Sequence, residues 1–313
     1  MRTTTLTSTF ALITVAALGL TACGSGDGTS DAAPAAAKNA KIPTTDVVSA
    51  VAKDPAAAKL LPADVRKSGS LKIAVSVGGN PPGSTYLPDG KTVVGQDIDF
   101  ANAVGKVLGI KLDREVASFE AILPALDSGK YDLGTGNFGV TNERRKTIDF
   151  VTYINDGQGF AVRKDSDLKK VTDLTQLCGL NVATGAGTTF EATLEENKSL
   201  CEKAGKKAYD VKTYSEQSAV WSSLQQGRSD VVMSTINGLR FAVSQQEGLK
   251  FLNEFHRLDV GFAFKKGTPL APAFQAAVNK LIADGTYQKI LAKWGTTPSA
   301  ITTSRISPPE IKD

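Results

Sequence analysis

Residues 134–145, GTGNFGVTNERR, decide how the chain is read, because the first six spell G-x-G-x-x-G, the letters of a dinucleotide fingerprint. A working fingerprint follows a strand, opens a helix of several turns and lies in a βαβ unit with a ribose-binding acid downstream. Here only a handful of residues separate Gly139 from IDFVTYI (148–154), whose β-branched and aromatic residues read as a second extended run. No crossover helix fits between them, so the glycines serve another purpose. The intervening TNERRK (141–146) leaves room for a Thr or Asx cap and one helical turn bearing two arginines. A glycine-lined backbone beside an arginine suits a small anion better than a pyrophosphate.

The beginning of the chain says where such a site works. Residues 1–23, MRTTTLTSTFALITVAALGLTAC, carry a short n-region with Arg2, an uncharged apolar stretch and small residues before a cysteine. That stretch is too short to span a bilayer and reads as a secretory signal. Its ending, LTAC, resembles a bacterial lipobox, which implies removal of residues 1–22 and lipidation of Cys23. The expected location is the extracellular face of the cell membrane, lipid-anchored, where free NAD or ATP is scarce; no cofactor is expected. A net charge of +4 spread over 313 residues is too slight for nucleic acid, which calls for a concentrated basic face. With Cys23 given to lipid, Cys178 and Cys201 remain, and an even pair in an exported protein reads as a disulfide. Two cysteines and a single histidine, His256, make no metal site, and His256 reads as a surface or packing residue.

Composition divides the rest. Residues 23–42 are small, polar and free of aromatics, a flexible tether. Residues 43–69 form a helical lead-in, with Asp54 before Pro55 marking a helix start. From LKIAVSV (71–77) onward strands alternate with amphipathic helices, which implies α/β layers. The folded body is large for one core, so two lobes are expected.

Six stretches then occur in a telling order: GQDIDFANAVGKVLG (95–109), FEAILPALDSGKYD (119–132), VTNERRKTIDF (140–150), GAGTTFE (185–191), QQGRSDVV (225–232) and LIADGTYQKILAKWG (281–295). Together they resemble the extracellular solute-binding proteins of polar amino-acid ABC importers. The resemblance implies an α/β, two-lobe periplasmic-binding-protein-like (type II) fold, with two hinge strands and a ligand cleft between lobes. Residues 70–160 and 259–300 would be lobe one, 161–258 lobe two, and 301–313 a C-terminal tail, with the hinges near GQGFAVRK (157–164) and DVGFAFKKG (259–267). The implied function is a monomeric binding lipoprotein, not an enzyme, that hands a small carboxylate-bearing solute to importer membrane subunits. A ligand-sensing extracellular module and an exported enzyme on the same scaffold are the alternatives; the latter lacks a positioned acid or base.

The resemblance also assigns a site. Arg144 offers a planar fork for the ligand carboxylate, and the amides of Thr188 and Thr189 open a helix whose dipole favours an anion. Asn137 and Gly139, in GNFG, would face the ligand through their backbone, and Phe119 would cover its side chain. Trp221 reads as packing. Departures accompany the matches. Asn80 stands where relatives carry a stacking aromatic, and the lobe-two acid that pairs with the ligand ammonium falls at Thr235, leaving Asn237 or the GNFG carbonyls to compensate. An ammonium buried without a carboxylate would cost several kcal/mol.

Overall fold

The computed structural model describes residues 42–78 and 81–312. The signal sequence, Cys23, the tether to residue 41 and Asn80 lie outside the described residues.

Two short helices lead in, α1 (Pro55–Lys59) and α2 (Ala63–Ser68). The carboxylate of Asp54 accepts the Ala57 N–H at 2.9 Å and Pro55 occupies the first turn, so α1 starts where the Asp-Pro pair predicts. Then come β1 (Ser70–Ser76), a small hairpin of β2 (Thr85–Tyr86) and β3 (Val93–Val94), α3 (Gln96–Leu108), β4 (Lys111–Ala117), α4 (Phe119–Asp127) and β5 (Leu133–Gly139). A long strand, β6 (Ile148–Arg163), leads to β7 (Asn181–Gly185), α5 (Thr189–Glu196), α6 (Ser199–Lys203), β8 (Asp210–Tyr214), α7 (Gln217–Gln225), β9 (Val231–Thr235) and α8 (Ile236–Gln245). The second long strand, β10 (Leu249–Lys265), returns the chain to α9 (Ala271–Ala283) and α10 (Thr286–Trp294).

Eight strands lie in the order β4-β1-β5-β10-β6-β9-β7-β8. Strands β4, β1 and β5 are parallel at one end and β9, β7 and β8 at the other, as βαβ crossovers require. The antiparallel pair β6 and β10 runs through the middle. Strand β5 pairs with β10 around residues 260–263, whereas β9 pairs with β6 at residues 158–162. Between those stretches, at 155–157 and 257–259, the two long strands pair only with each other. This is the connection between the two lobes.

Sequence reading takes 148–154 and the stretch from 159 as separate short strands; they form one, because β6 pairs with β10 along nearly its whole length, with three register shifts elsewhere and regular pairing at Gly157. Gly157 adopts φ 152°, and a Cβ there would stand 2.1 Å from the His256 carbonyl oxygen. Only glycine allows that approach. The opening glycines also serve packing: a Cβ on Gly134 would lie 2.5 Å from Ile122 of α4. A β-strand so closely covered by a helix has no room for a phosphate cradle.

Each lobe has apolar layers on both faces of its sheet, as parallel strands demand. In lobe one, Ile73, Phe100, Tyr153, Phe262 and Phe274 pack under α3 and α9, while Ile122, Leu126, Phe138 and Phe150 pack under α4. In lobe two, Phe160, Val182 and Met233 face one layer and Ala161, Ala183 and Val232 the other, following the two-residue period of a strand. A disulfide joins Cys178 to Cys201 in the first of those layers. In the chain-entropy picture its loop stabilises by about 3 kcal/mol. Residues 301–312 fold back on lobe one, where Ser304 Oγ donates to the Thr152 carbonyl at 2.6 Å and Ile306 bridges Val151.

Candidate functional site

A cavity of about 160 Å³ lies between the lobes, against the C-terminal ends of β1, β5, β7, β8 and β9. Strand ends gather there with helix N-termini, the usual place for a ligand in such sheets.

One end of the cavity is built around Arg144. The short loop after β5 holds a single 3₁₀ turn, Arg144–Lys146, whose first N–H is taken by Thr141 Oγ1 at 3.1 Å. From that turn Arg144 Nη1 donates to the Gly139 carbonyl of lobe one at 3.1 Å. Its Nη2 donates to the Gly187 carbonyl of lobe two at 3.0 Å. The guanidinium also lies 5.8 Å from the ring of Phe119, which stacks on Phe138 with centroids 4.7 Å apart. Burial pushes its pKa down to about 10, so it remains a cation at neutral pH. It forms no ion pair among the described residues, and a half-buried cation held only by neutral carbonyls attracts an anion.

Across the gap stands the start of α5. Thr188 caps it: its Oγ1 accepts the Glu191 N–H at 3.2 Å and donates to the Gly185 carbonyl at 2.7 Å. Glu191 in turn takes the Gly187 N–H at 2.7 Å. The opening amides of Thr188 and Thr189 have no intrahelical acceptor and carry the positive end of the helix dipole. Gly187 sits at φ 69°, and a Cβ on it would lie 2.8 Å from that of Glu120 in lobe one. The two lobes meet here at backbone distance.

Acids line the rest of the cavity: Asp97 in the first turn of α3, Asp156 on β6 and Glu216 before α7. Asp97 accepts from the Tyr153 hydroxyl at 2.7 Å. Asp156 accepts from Asn137 Nδ2 at 3.1 Å and from the Asn237 backbone N–H at 3.2 Å. Burial, chiefly, raises the pKa of both to about 6, and the charge of Asp156 adds to the rise at Asp97. Burial and the neighbouring Asp97 charge push the Tyr153 hydroxyl well above its ordinary value. Glu216 is exposed at the mouth, opposite Gly78 of lobe one. Sequence reading missed all three acids. The available signal is strongest for Asp156, an acid in the middle of a sixteen-residue strand that is otherwise largely apolar.

Of the residues assigned from sequence, Arg144, Thr188, Thr189, Asn137, Phe119, Thr235 and Asn237 come together around this cavity. Thr235 caps α8 by accepting the Gly238 N–H at 3.1 Å. The Asn237 side chain donates to Ser299 Oγ at 2.8 Å, away from the ligand space. Gly139 stands behind the lining, its carbonyl held by Arg144. Trp221 joins the core of lobe two and also lines the cavity, with its indole N–H unpartnered, a contact that the packing reading overlooks. Ser84 presents a second buried, unpartnered hydroxyl there. His256 lies on β10 opposite Gln158 and outside the lining. Among the described residues no cluster of metal-ligating side chains occurs, and no helix is long and apolar enough to cross a membrane.

Comparisons with known proteins place the chain among relatives. Residues 71–297 match the family of bacterial extracellular solute-binding proteins, family 3. The arginine-binding protein ArgT of Corynebacterium glutamicum is 29% identical over 227 residues, covering 71% of this chain and 74% of the relative. The L-cystine-binding protein TcyJ of Escherichia coli is 29% identical over 236 residues, covering 74% of this chain and 84% of that one. Among solved structures, an ancestral arginine-binding protein bound to arginine superposes with a TM-score of 0.65 at 32% identity, over 72% of this chain and 98% of the other. The chain belongs to the bacterial extracellular solute-binding proteins of family 3.

Proposed function

We propose that this protein captures a small carboxylate-bearing solute, an amino acid or a close analogue, by closing its cleft, and delivers it to the membrane subunits of an ABC importer. One observation carries the reading: Arg144, a cation without an anion, spans from a lobe-one carbonyl to a lobe-two carbonyl at the cavity wall. Two of its five N–H donors are used, so a carboxylate seated between Arg144 and the first amides of α5 would complete the fork and touch both lobes. A ligand that contacts both lobes stabilises the closed state by its differential affinity, which is the signal a permease can read. Relatives named for arginine and for cystine support an amino-acid cargo.

Sequence reading expects lobe one at 70–160 and 259–300 and lobe two at 161–258; because residues 158–162 already pair with β9, lobe one would end at the crossing, near 156, and resume near 258. A lipid on Cys23 would hold the monomer at the outer face of the membrane, and intact-mass measurement of membrane-extracted protein checks for it. For the binding claim, titration calorimetry with a panel of amino acids is the test. Uptake of at least one, lost on Arg144→Ala while circular dichroism stays unchanged, supports the reading. Unchanged affinity in that variant would remove Arg144 from the site.

A further inference from the structure

We propose that the counter-charge for the ligand's ammonium is carried by the hinge, at Asp156 with Asp97 beside it, rather than by the strand end of lobe two where Thr235 stands. The assignment rests on the solute-binding reading above. It makes the ligand a zwitterion and not a bare carboxylate.

Among the described residues four charged side chains line the cavity, and only Arg144 is basic. The wall is therefore negative, and it is most enclosed at Asp156, whose residue is fully buried. Neutral donors alone hold that carboxylate: the Asn137 amide from β5 and the Asn237 backbone N–H at the start of α8. Asn137 stands at φ 59°, in the left-handed region, on the strand between the two acids' partners. Its side chain serves Asp156, and its backbone also lowers the pKa of Asp97.

Of the other charged groups around Asp156, Arg257 lowers its pKa through its charge but spends its ion pair elsewhere. On β10, Arg257 pairs with Glu254 at 2.8 Å, and Asp259 pairs with Arg305. His256 faces Gln158 in the strand ladder, and on β6 and α3 Tyr153 and Asp97 share a hydrogen bond. No lysine or arginine among the described residues forms a salt bridge with Asp156 or Asp97. A buried carboxylate without one is costly, and an ammonium in the adjoining cavity offsets that cost in a low-dielectric setting. The donors to Asp156 come from different lobes, so it is held in place by closure itself.

The sign of the pH dependence follows. Without ligand both acids have pKa values near 6, above their ordinary 3.8. Their contribution to stability is full below about pH 4 and is lost as pH rises through about 6. An ammonium beside them lowers both values, so affinity changes the opposite way: it rises from about pH 5 to 7 and then levels off, with protons released on binding near pH 6.

The experiment is titration calorimetry at pH 5.5 and 7.5 with L-arginine and L-glutamine, each beside its desamino counterpart, 5-guanidinopentanoate and glutaramate. The amino acid that binds should do so roughly tenfold tighter at pH 7.5, while its counterpart changes little. Asp156→Asn should weaken the amino acid about tenfold more than the counterpart, and Asp97→Asn should reduce the pH dependence by itself if the first variant folds poorly. Equal pH profiles for amino acid and counterpart in the wild type would overturn the assignment yet leave the Arg144 reading standing. Binding of neither member of either pair would overturn both.

Discussion

The two ends of the cleft are made in different ways. At the anion end, Arg144 and the cap of α5 are each set by a few consecutive residues: a 3₁₀ turn after a strand, and a Gly-Ala-Gly-Thr-Thr run opening a helix. At the cation end, Asp97, Asn137, Asp156 and Asn237 come from α3, β5, β6 and α8, and converge only when the sheet assembles. Local chemistry makes the first; topology makes the second. The anion end should therefore survive changes to hinge geometry that destroy the cation end.

The largest effect is expected at the hinge. Gly157→Ala places a methyl group against the His256 carbonyl, 2.1 Å from its oxygen, and should cost about 4 kcal/mol of stability, seen as a lower denaturant midpoint. A cost under about 1 kcal/mol would mean that the strands part easily there. Breaking the Cys178–Cys201 disulfide serves as a control, because it lies in a lobe-two layer apart from the cavity lining. Reduction should lower stability by about 3 kcal/mol and leave ligand affinity almost unchanged. Arg144→Ala attacks the anion end alone; a loss of about 2 kcal/mol or more in binding, with little change in melting temperature without ligand, is expected. The smallest effect belongs to Glu216 at the mouth. Glu216→Gln should weaken a ligand with a cationic side chain by about 0.5 kcal/mol and an uncharged one hardly at all, so competition between arginine and glutamine reads it out.

Legibility in the sequence divides along the same line. The alternation of apolar strands with capped helices, the Asp-Pro helix start and the six ordered motifs carry the two-lobe α/β fold. Arg144 and Thr188 are legible because their roles depend on neighbours a few residues away. Asp156 is not, since its value as a charge depends on Asn137 and Asn237, 19 and 81 residues distant. The expected lack of an acid at Thr235 was a statement about one strand end, and a neighbouring strand supplies charge to the same space. Trp221 shows a related limit: helical periodicity identifies a core face, but a large ring at the edge of a core also reaches the cavity. The unbroken β6 is a third case: the residues read as two short strands, and Gly157 between them lies where the backbone of β10 leaves no room for a side chain.

On this reading the cleft binds a small amino-acid-type solute between Arg144 and the hinge acids. A thermal-shift measurement at pH 7.5 against the amino acids, their decarboxylated amines and their desamino acids tests it most directly. A ligand present at a thousand times its dissociation constant adds about 4 kcal/mol, a rise in melting temperature of roughly 8 to 16 °C for a protein of this size. The prediction is a rise of that order with one or a few amino acids and much smaller rises with compounds lacking either the carboxylate or the ammonium. Equal rises with the desamino acids, or no rise with any amino acid, would contradict it.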